Sequence, residues 1–412
     1  GIRTISSLKE FSVFEKLTSL GMDGDFIHTD QDLKGLSNLK ELTSLSLSAS
    51  GNAISLKTLV GMENCRELQE LTIDGCAKLI DVEGINGCQK LKSIELSQAK
   101  RLENLNGLKG LKSLKTININ DAESLLNLDG LKGCDSLEEI KIDGSNYSGN
   151  KKIKQPIKNV DGLIGLKKLK DLNLSSFNSL KNVDGLKGCS GLVYLNISSD
   201  SLENINGLQN LKALESIQLD TIKLKNIDGL SGCENLDSFN IQSEDIKNLN
   251  GLKGCSKLKE LDIPNSAKSL NLDGLAFMDS LRVINFRNCE IKSFDFTQKI
   301  PPITYVDIRS SNQIKSLEGI GNLINLAKII IKNCTKLENL KGIENIKTLE
   351  SVIIQDCKSL KDVEALLSLP KLKVFKIRSC VIKKEELPGH LKVIAETTIS
   401  HLDEDSYSFR DK

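Results

Sequence analysis

The sequence predicts an α/β solenoid of about seventeen coils, each 22–23 residues long, with a parallel β-sheet on the concave side of a curved arc and short helical turns on its convex side. Three observations predict it. An L-x-x-L-x-L unit recurs in register at Leu91, Leu114, Leu137, Leu169, Leu192, Leu214, Leu236, Leu258, Leu281, Ile303, Leu326, Leu349 and Leu372, with weaker or offset copies at Leu17, Leu42, Leu68 and Leu391. A small residue, usually Gly after Asp or Asn, recurs at the seventeenth position of a copy, as in "DGLKGC" at residues 129–134 and again at 184–189. Aromatics make up only 4% of the chain and tryptophan is absent, which suits a core built from one aliphatic residue type used repeatedly. One copy cannot bury its own leucines, so stacked neighbours must share a continuous core.

Each element of a copy follows from its residues. The L-x-x-L-x-L unit alternates apolar and polar side chains, the period of a strand that is half buried. Apolar residues then recur every third position, Leu125, Leu128, Leu131 and Cys134 in the copy that starts at Leu114, and return the chain along the opposite side. The Asp or Asn before the glycine is expected to act as a helix N-cap, because its side-chain oxygen can accept an orphan N–H. Leu131 and Cys134 then share one face of a short helical turn. A phosphate cradle would be needed once, whereas this motif recurs in nearly every copy, so it reads as structural. The cysteines divide by register. Cys65, Cys88, Cys134, Cys189, Cys233 and Cys255 take a core position late in the copy, and Cys76, Cys289, Cys334, Cys357 and Cys380 take the ninth position. Free cysteine packs as a small hydrophobe.

Copies such as "LENINGLQNLKALESIQL" at residues 202–219 resemble those of leucine-rich repeat proteins, and the resemblance covers essentially the whole chain. The period is that of the class found in internalins and phosphatase-regulatory subunits. The resemblance implies that the ninth-position residues, Asn or Cys in such repeats, bond the turning backbone in a ladder. It also implies a binding role: a microbial protein that meets a host or neighbouring protein, or an intracellular adaptor.

The totals remove several other roles. With 56 basic and 55 acidic residues the formal charge is +1, which gives no global attraction to nucleic acid or an anionic membrane. No apolar run reaches the roughly 18–20 residues of a spanning helix. Eleven cysteines, an odd number with no C-x-x-C pair, fit buried thiols in a reducing compartment better than a disulfide framework. The expected location is therefore cytoplasmic, in the protein's own cell or a host's, rather than at the cell surface. Three histidines without metal-ligand spacing provide no metal site, and no cofactor is expected. No Walker loop, G-x-S-x-G or kinase motif set is present, so the chain is read as a non-enzyme.

All 412 residues are read as a single repeat domain. Residues 1–16 continue the pattern backwards, as a partial first repeat or an N-terminal cap, which leans towards a piece of a longer chain. Residues 145–158, "SNYSGNKKIKQPIK", form a basic loop insertion, and residues 391–412 form a C-terminal cap and tail. Sequons at Asn146, Asn173, Asn196 and Asn333 are unremarkable in a chain rich in Asn and Ser.

Positions 2, 3, 5, 7 and 8 of each strand unit should point out of the concave face, where curved solenoids bind. From Leu68 through the copy at Leu258 these columns are acidic on balance, with Glu70, Asp74, Glu95, Asp121, Asp143 and Asp171 among the acids. From Leu281 onward the sign reverses and apolar residues enter. The predicted binding surface is Val283, Arg287, Tyr305, Asp307, Arg309, Lys328, Ile330, Lys332, Ile353, Lys376 and Arg378. Tyr305, Ile330 and Ile353 would be exposed anchors, and Arg287, Arg309, Lys328 and Arg378 would steer an acidic protein partner. Nucleic acid is disfavoured because aromatic interleaving is limited to Tyr305. The alternative is a targeting arm for a catalytic domain outside these residues. The oligomeric state is open.

Overall fold

A computed structural model of the chain describes residues 7–23, 31–49, 54–144, 156–243, 246–264, 270–276, 278–289, 291, 294 and 300–382. Residues 1–6 of the opening segment, 145–155 of the insertion and the copy expected at Leu391 with its tail lie outside the described residues, as does Asn146. The chain divides into two compact units, Gly1–Asp245 with Asn250–Cys255, and Ile246–Leu249 with Ser256–Lys412.

The first unit carries β1 (Ser19–Asp23), β2 (Ser44–Ser48), β3 (Glu70–Asp74), β4 (Ser93–Leu96), β5 (Thr116–Ile119), β6 (Glu139–Asp143), β7 (Asp171–Ser175), β8 (Tyr194–Ser198), β9 (Ser216–Asp220) and β10 (Ser238–Gln242). The second carries β11 (Glu260–Pro264), β12 (Val283–Arg287), β13 (Tyr305–Arg309), β14 (Lys328–Lys332), β15 (Ser351–Gln355) and β16 (Val374–Arg378). Within each unit every strand lies parallel to the next, matched by repeat position: Leu172 of β7 faces Leu195 of β8, and Ile308 of β13 faces Ile331 of β14. Each coil thus contributes one strand to the solenoid. Alternation fixes the two sides of the sheet. In β7, Leu172 and Leu174 are fully buried while Asp171, Asn173 and Ser175 stay half exposed.

The return side is built from 3-10 turns, most of them three residues long, and no α-helix occurs among the described residues. Asp129–Leu131 shows why. Lys132, at φ −57° and ψ 125°, has already left the helical region, and Cys134 and Leu137 must both reach the core before the next strand. The cap differs from the one expected. Asp129 is the first residue of the turn, the capping position falls on Leu128, and the accepting side chain is Asn127, whose Oδ1 takes the Asp129 N–H at 3.0 Å. The same Asx turn recurs at Asn104, Asn182, Asn226 and Asn271, with N–H···Oδ1 distances of 3.1, 3.1, 3.2 and 2.7 Å. Asp129 instead pairs with Lys132 at 2.8 Å in a half-exposed ion pair.

Close stacking explains the glycine that follows. A Cβ on Gly130 would overlap the carbonyl group of Leu105 in the preceding coil, and one on Gly185 would overlap that of Val160. The late-copy thiols use the same proximity. Cys134 donates to the Leu108 carbonyl at 3.1 Å, Cys189 to that of Leu163 at 3.2 Å and Cys88 to that of Met62 at 3.3 Å. A leucine would fill that space but leave the carbonyl without this donor, so these cysteines do more than pack. Of the ninth-position residues, Cys289 donates to Ile263 O at 2.9 Å and Cys76 to Ser97 O at 3.0 Å, while a second set of bonds comes from buried eighth-position residues, Ser199 to Leu180 O and Ser243 to Leu224 O, each at 2.9 Å. All eleven cysteines are free thiols, and only Cys380 among them is partly exposed.

Candidate functional site

Strand alternation puts Tyr305, Asp307 and Arg309 on the open face of β13 while Val306 and Ile308 enter the core. Register then aligns three columns in the second unit. Tyr305, Lys328, Ser351 and Val374 form one, Asp307, Ile330, Ile353 and Lys376 the second, and Arg309, Lys332, Gln355 and Arg378 the third. Val283 and Arg287 of β12 continue the outer two. All the nominated residues therefore lie on one face of one unit.

Their environments differ from what the sequence suggested. Ile330 and Ile353 are each only 7% exposed, so they are not exposed anchors. They stand side by side in the central column, closed at either end by Asp307 and Lys376, with Lys328 and Lys332 on either side of Ile330 and Ser351 and Gln355 on either side of Ile353. Asp307 is 5% exposed. Arg309 Nε donates to both carboxylate oxygens of Asp307 at 3.0 Å, and its Nη2 reaches Oδ2 at 2.8 Å. The Tyr305 hydroxyl donates to the same carboxylate at 3.4 Å. Burial first, then the neighbouring Asp307 charge, push the Tyr305 hydroxyl up to about 12, so it stays a donor at neutral pH.

Two of the nominated cations are thus already engaged. Arg309 serves Asp307, and Arg287 Nη2 pairs with Asp262 Oδ2 at 2.9 Å. Asp262 Oδ1 is buried without a hydrogen-bond partner, and burial raises that carboxyl despite the guanidinium beside it. Lys328 places its Nζ 5.6 Å from the centroid of the Tyr305 ring, within cation–π range. The sequence reading missed Asp262 as the partner of Arg287, because the pair is diagonal between adjacent strands. It also missed Gln355, which stands between Lys332 and Arg378. The signal was present as an Asp at position 5 of one copy and an Arg at position 7 of the next.

In the first unit, two of the sequon residues bond to each other: Asn196 Nδ2 donates to Asn173 Oδ1 at 3.3 Å. Among the described residues no group of three or more His, Cys, Asp or Glu could hold a metal ion, and no helix is long and apolar enough to cross a membrane.

This repeated strand-and-turn coil, with its ladders and open sheet face, defines a leucine-rich repeat protein. The chain belongs to the BspA-type leucine-rich repeat family, whose model matches residues 59–184, 164–284 and 279–403 in six copies. No curated protein matches it in sequence. Among solved structures, it is similar to a leucine-rich repeat protein of Leptospira interrogans, at 17% identity and a TM-score of 0.57, over 92% of this chain and 95% of that one. It is also similar to an internalin, InlF, of Listeria monocytogenes, at 15% identity and a TM-score of 0.44, over 91% of this chain and 89% of that one. Leucine-rich repeats of this kind are in general protein-interaction modules.

Proposed function

We propose that the chain is a non-enzymatic recognition module that binds a protein partner on the open sheet face of its second unit, around β13 to β16. The observation that carries this reading is the preorganised face itself. A row of regular strands holds Tyr305, Arg309, Lys328 and Lys332 in fixed register, with Asp307 locking Arg309 and Tyr305 from beneath. A surface ordered before contact loses little side-chain freedom on binding. The free, mostly buried thiols support a reducing setting, the cytosol of its own cell or of a host.

The test is affinity capture from lysate with the native chain, a Ser351→Trp/Val374→Trp variant on the face, and a Lys347→Glu variant on the return side. Both Ser351 and Val374 are half-buried face residues, so tryptophan there adds bulk without entering the core. A protein held by the native chain and by Lys347→Glu, but lost by the tryptophan variant, supports the reading. Equal retention by all three would place the binding surface elsewhere.

A further inference from the structure

We infer that β14, β15 and β16 receive an acidic peptide segment in extended form, laid across the strands over Lys332, Gln355 and Arg378. This rests on reading that face as the binding surface. The three strands read KIIIK, SVIIQ and VFKIR, four cations and no acid. The preceding three read ELDIP, VINFR and YVDIR, and there Arg287 and Arg309 are answered by Asp262 and Asp307. The face therefore changes character between β13 and β14, and the cations that the sequence would place in the lead are neutralised on the wrong side of that boundary.

Beyond the boundary the balance stays positive. Lys332 and Arg378 form no ion pair among the described residues. The two acids that border β15 are engaged elsewhere: Glu350 accepts from Lys373 at 3.0 Å, and Asp356 accepts from the Gln355 Nε2 at 3.0 Å. The Gln355 amide oxygen accepts no hydrogen bond among the described residues.

The geometry suits an extended chain. Lys332, Gln355 and Arg378 are register partners on successive strands, so with strands about 4.8 Å apart the two cations stand roughly 10 Å apart. Same-side residues of an extended peptide recur every ~6.7 Å, so two glutamates at i and i+2 need only splay outward to meet both cations. A peptide N–H between them meets the Gln355 oxygen. The nearly buried Ile330 and Ile353 supply an apolar flank that strengthens these charge contacts. A single-stranded nucleic acid would need aromatic platforms, and the Tyr305 ring is already covered by Lys328.

Fluorescence anisotropy at low salt tests this with a labelled octapeptide that alternates glutamate and serine, and its glutamine counterpart as the neutral control. The native chain is expected to bind the glutamate peptide at least about tenfold more tightly than the control, a preference that Lys332→Glu/Arg378→Glu abolishes and Arg287→Gln leaves within about twofold. Circular dichroism establishes that the variants are folded, since Lys332 and Arg378 are surface side chains. Equal binding of both peptides by the native chain, or of the glutamate peptide by the charge-reversed variant, would overturn the proposal. So would tighter binding of an oligothymidine of matched charge, or a native mass that rises with concentration only while both cations are present, which would make the occupant a second copy. A Ser351-dependent captured protein together with a failed glutamate peptide removes the acidic chemistry and leaves the face; loss of both removes both.

Discussion

Arg309 closes on Asp307 from two positions along β13, placing three hydrogen bonds of 2.8–3.0 Å on a carboxylate whose side chain is only 7% exposed. The guanidinium itself is 45% exposed, so the pair is a charge held at the floor of the face with its counter-ion forming the surface. Removing Arg309 leaves the acid buried and weakly answered by Tyr305. Arg309→Ala is expected to cost about 2 kcal/mol, between the values of exposed and buried pairs. Asp307→Ala/Arg309→Ala should cost less than the sum of the single changes. Urea denaturation of the double-mutant cycle checks this, and strict additivity would contradict it.

The turn cap separates two residues that look alike in sequence. Asn127→Ala is expected to lose about 1 kcal/mol, because the Asp129 N–H then has no side-chain acceptor. Asp129→Ala should cost at most a few tenths, since its contact with Lys132 is half exposed on both sides. Urea midpoints for the two variants decide the order. The reverse ranking would restore Asp129 as the cap.

Gly130→Ala is expected to destabilise the chain by about 2–3 kcal/mol, because the added methyl meets the Leu105 carbonyl and the coils must part. The neighbouring Gly133 takes φ +80°, and a Cβ there would make only ordinary van der Waals contact, 3.5 Å from the Gly110 Cα, so Gly133→Ala should cost only the backbone strain, about 1 kcal/mol. Thermal melts of the two variants measure the difference, and equal losses would show that stacking distance does not set the glycine.

Those outcomes bear on what the sequence makes legible. The period, the strand positions and the inward face follow from Leu114, Ile117 and Ile119 and their counterparts, because a solenoid repeats one local pattern. The ninth-position bonds followed at Cys76 and Cys289, but the eighth-position donors Ser199 and Ser243 did not. What escaped depends on pairings that only the folded backbone reveals. Asp129 reads as the cap until the turn is seen to begin with it, which leaves Asn127 as the accepting side chain. Cys134 reads as a small hydrophobe until the Leu108 carbonyl lies 3.1 Å from its sulfur. Ile330 and Ile353 read as exposed because they stand in a column that is polar elsewhere, and only the register shows them shielding each other.

Burial raises the Cys88 and Cys255 thiols to about 12, and those of Cys65, Cys189 and Cys233 to about 11. In the unfolded chain thiols ionise near about 8.5. Above that pH the unfolded state releases protons that the folded state retains, so the stability present at lower pH is lost as pH rises towards the folded values. The urea midpoint is expected to fall between about pH 9 and 11, and to fall less steeply in Cys88→Val/Cys255→Val. Identical slopes would show that the buried thiols do not govern alkaline stability.

The central claim is that binding uses the open sheet face of the second unit, and site-specific photocrosslinking tests it most directly. A benzophenone amino acid is placed either at Ser351, on the face of β15, or at Leu367, an exposed residue of the return side. Irradiation in lysate is expected to join a discrete partner to the chain carrying the probe at Ser351 and none to the chain carrying it at Leu367. A partner joined only through Leu367 would contradict the account and move the binding surface to the return side.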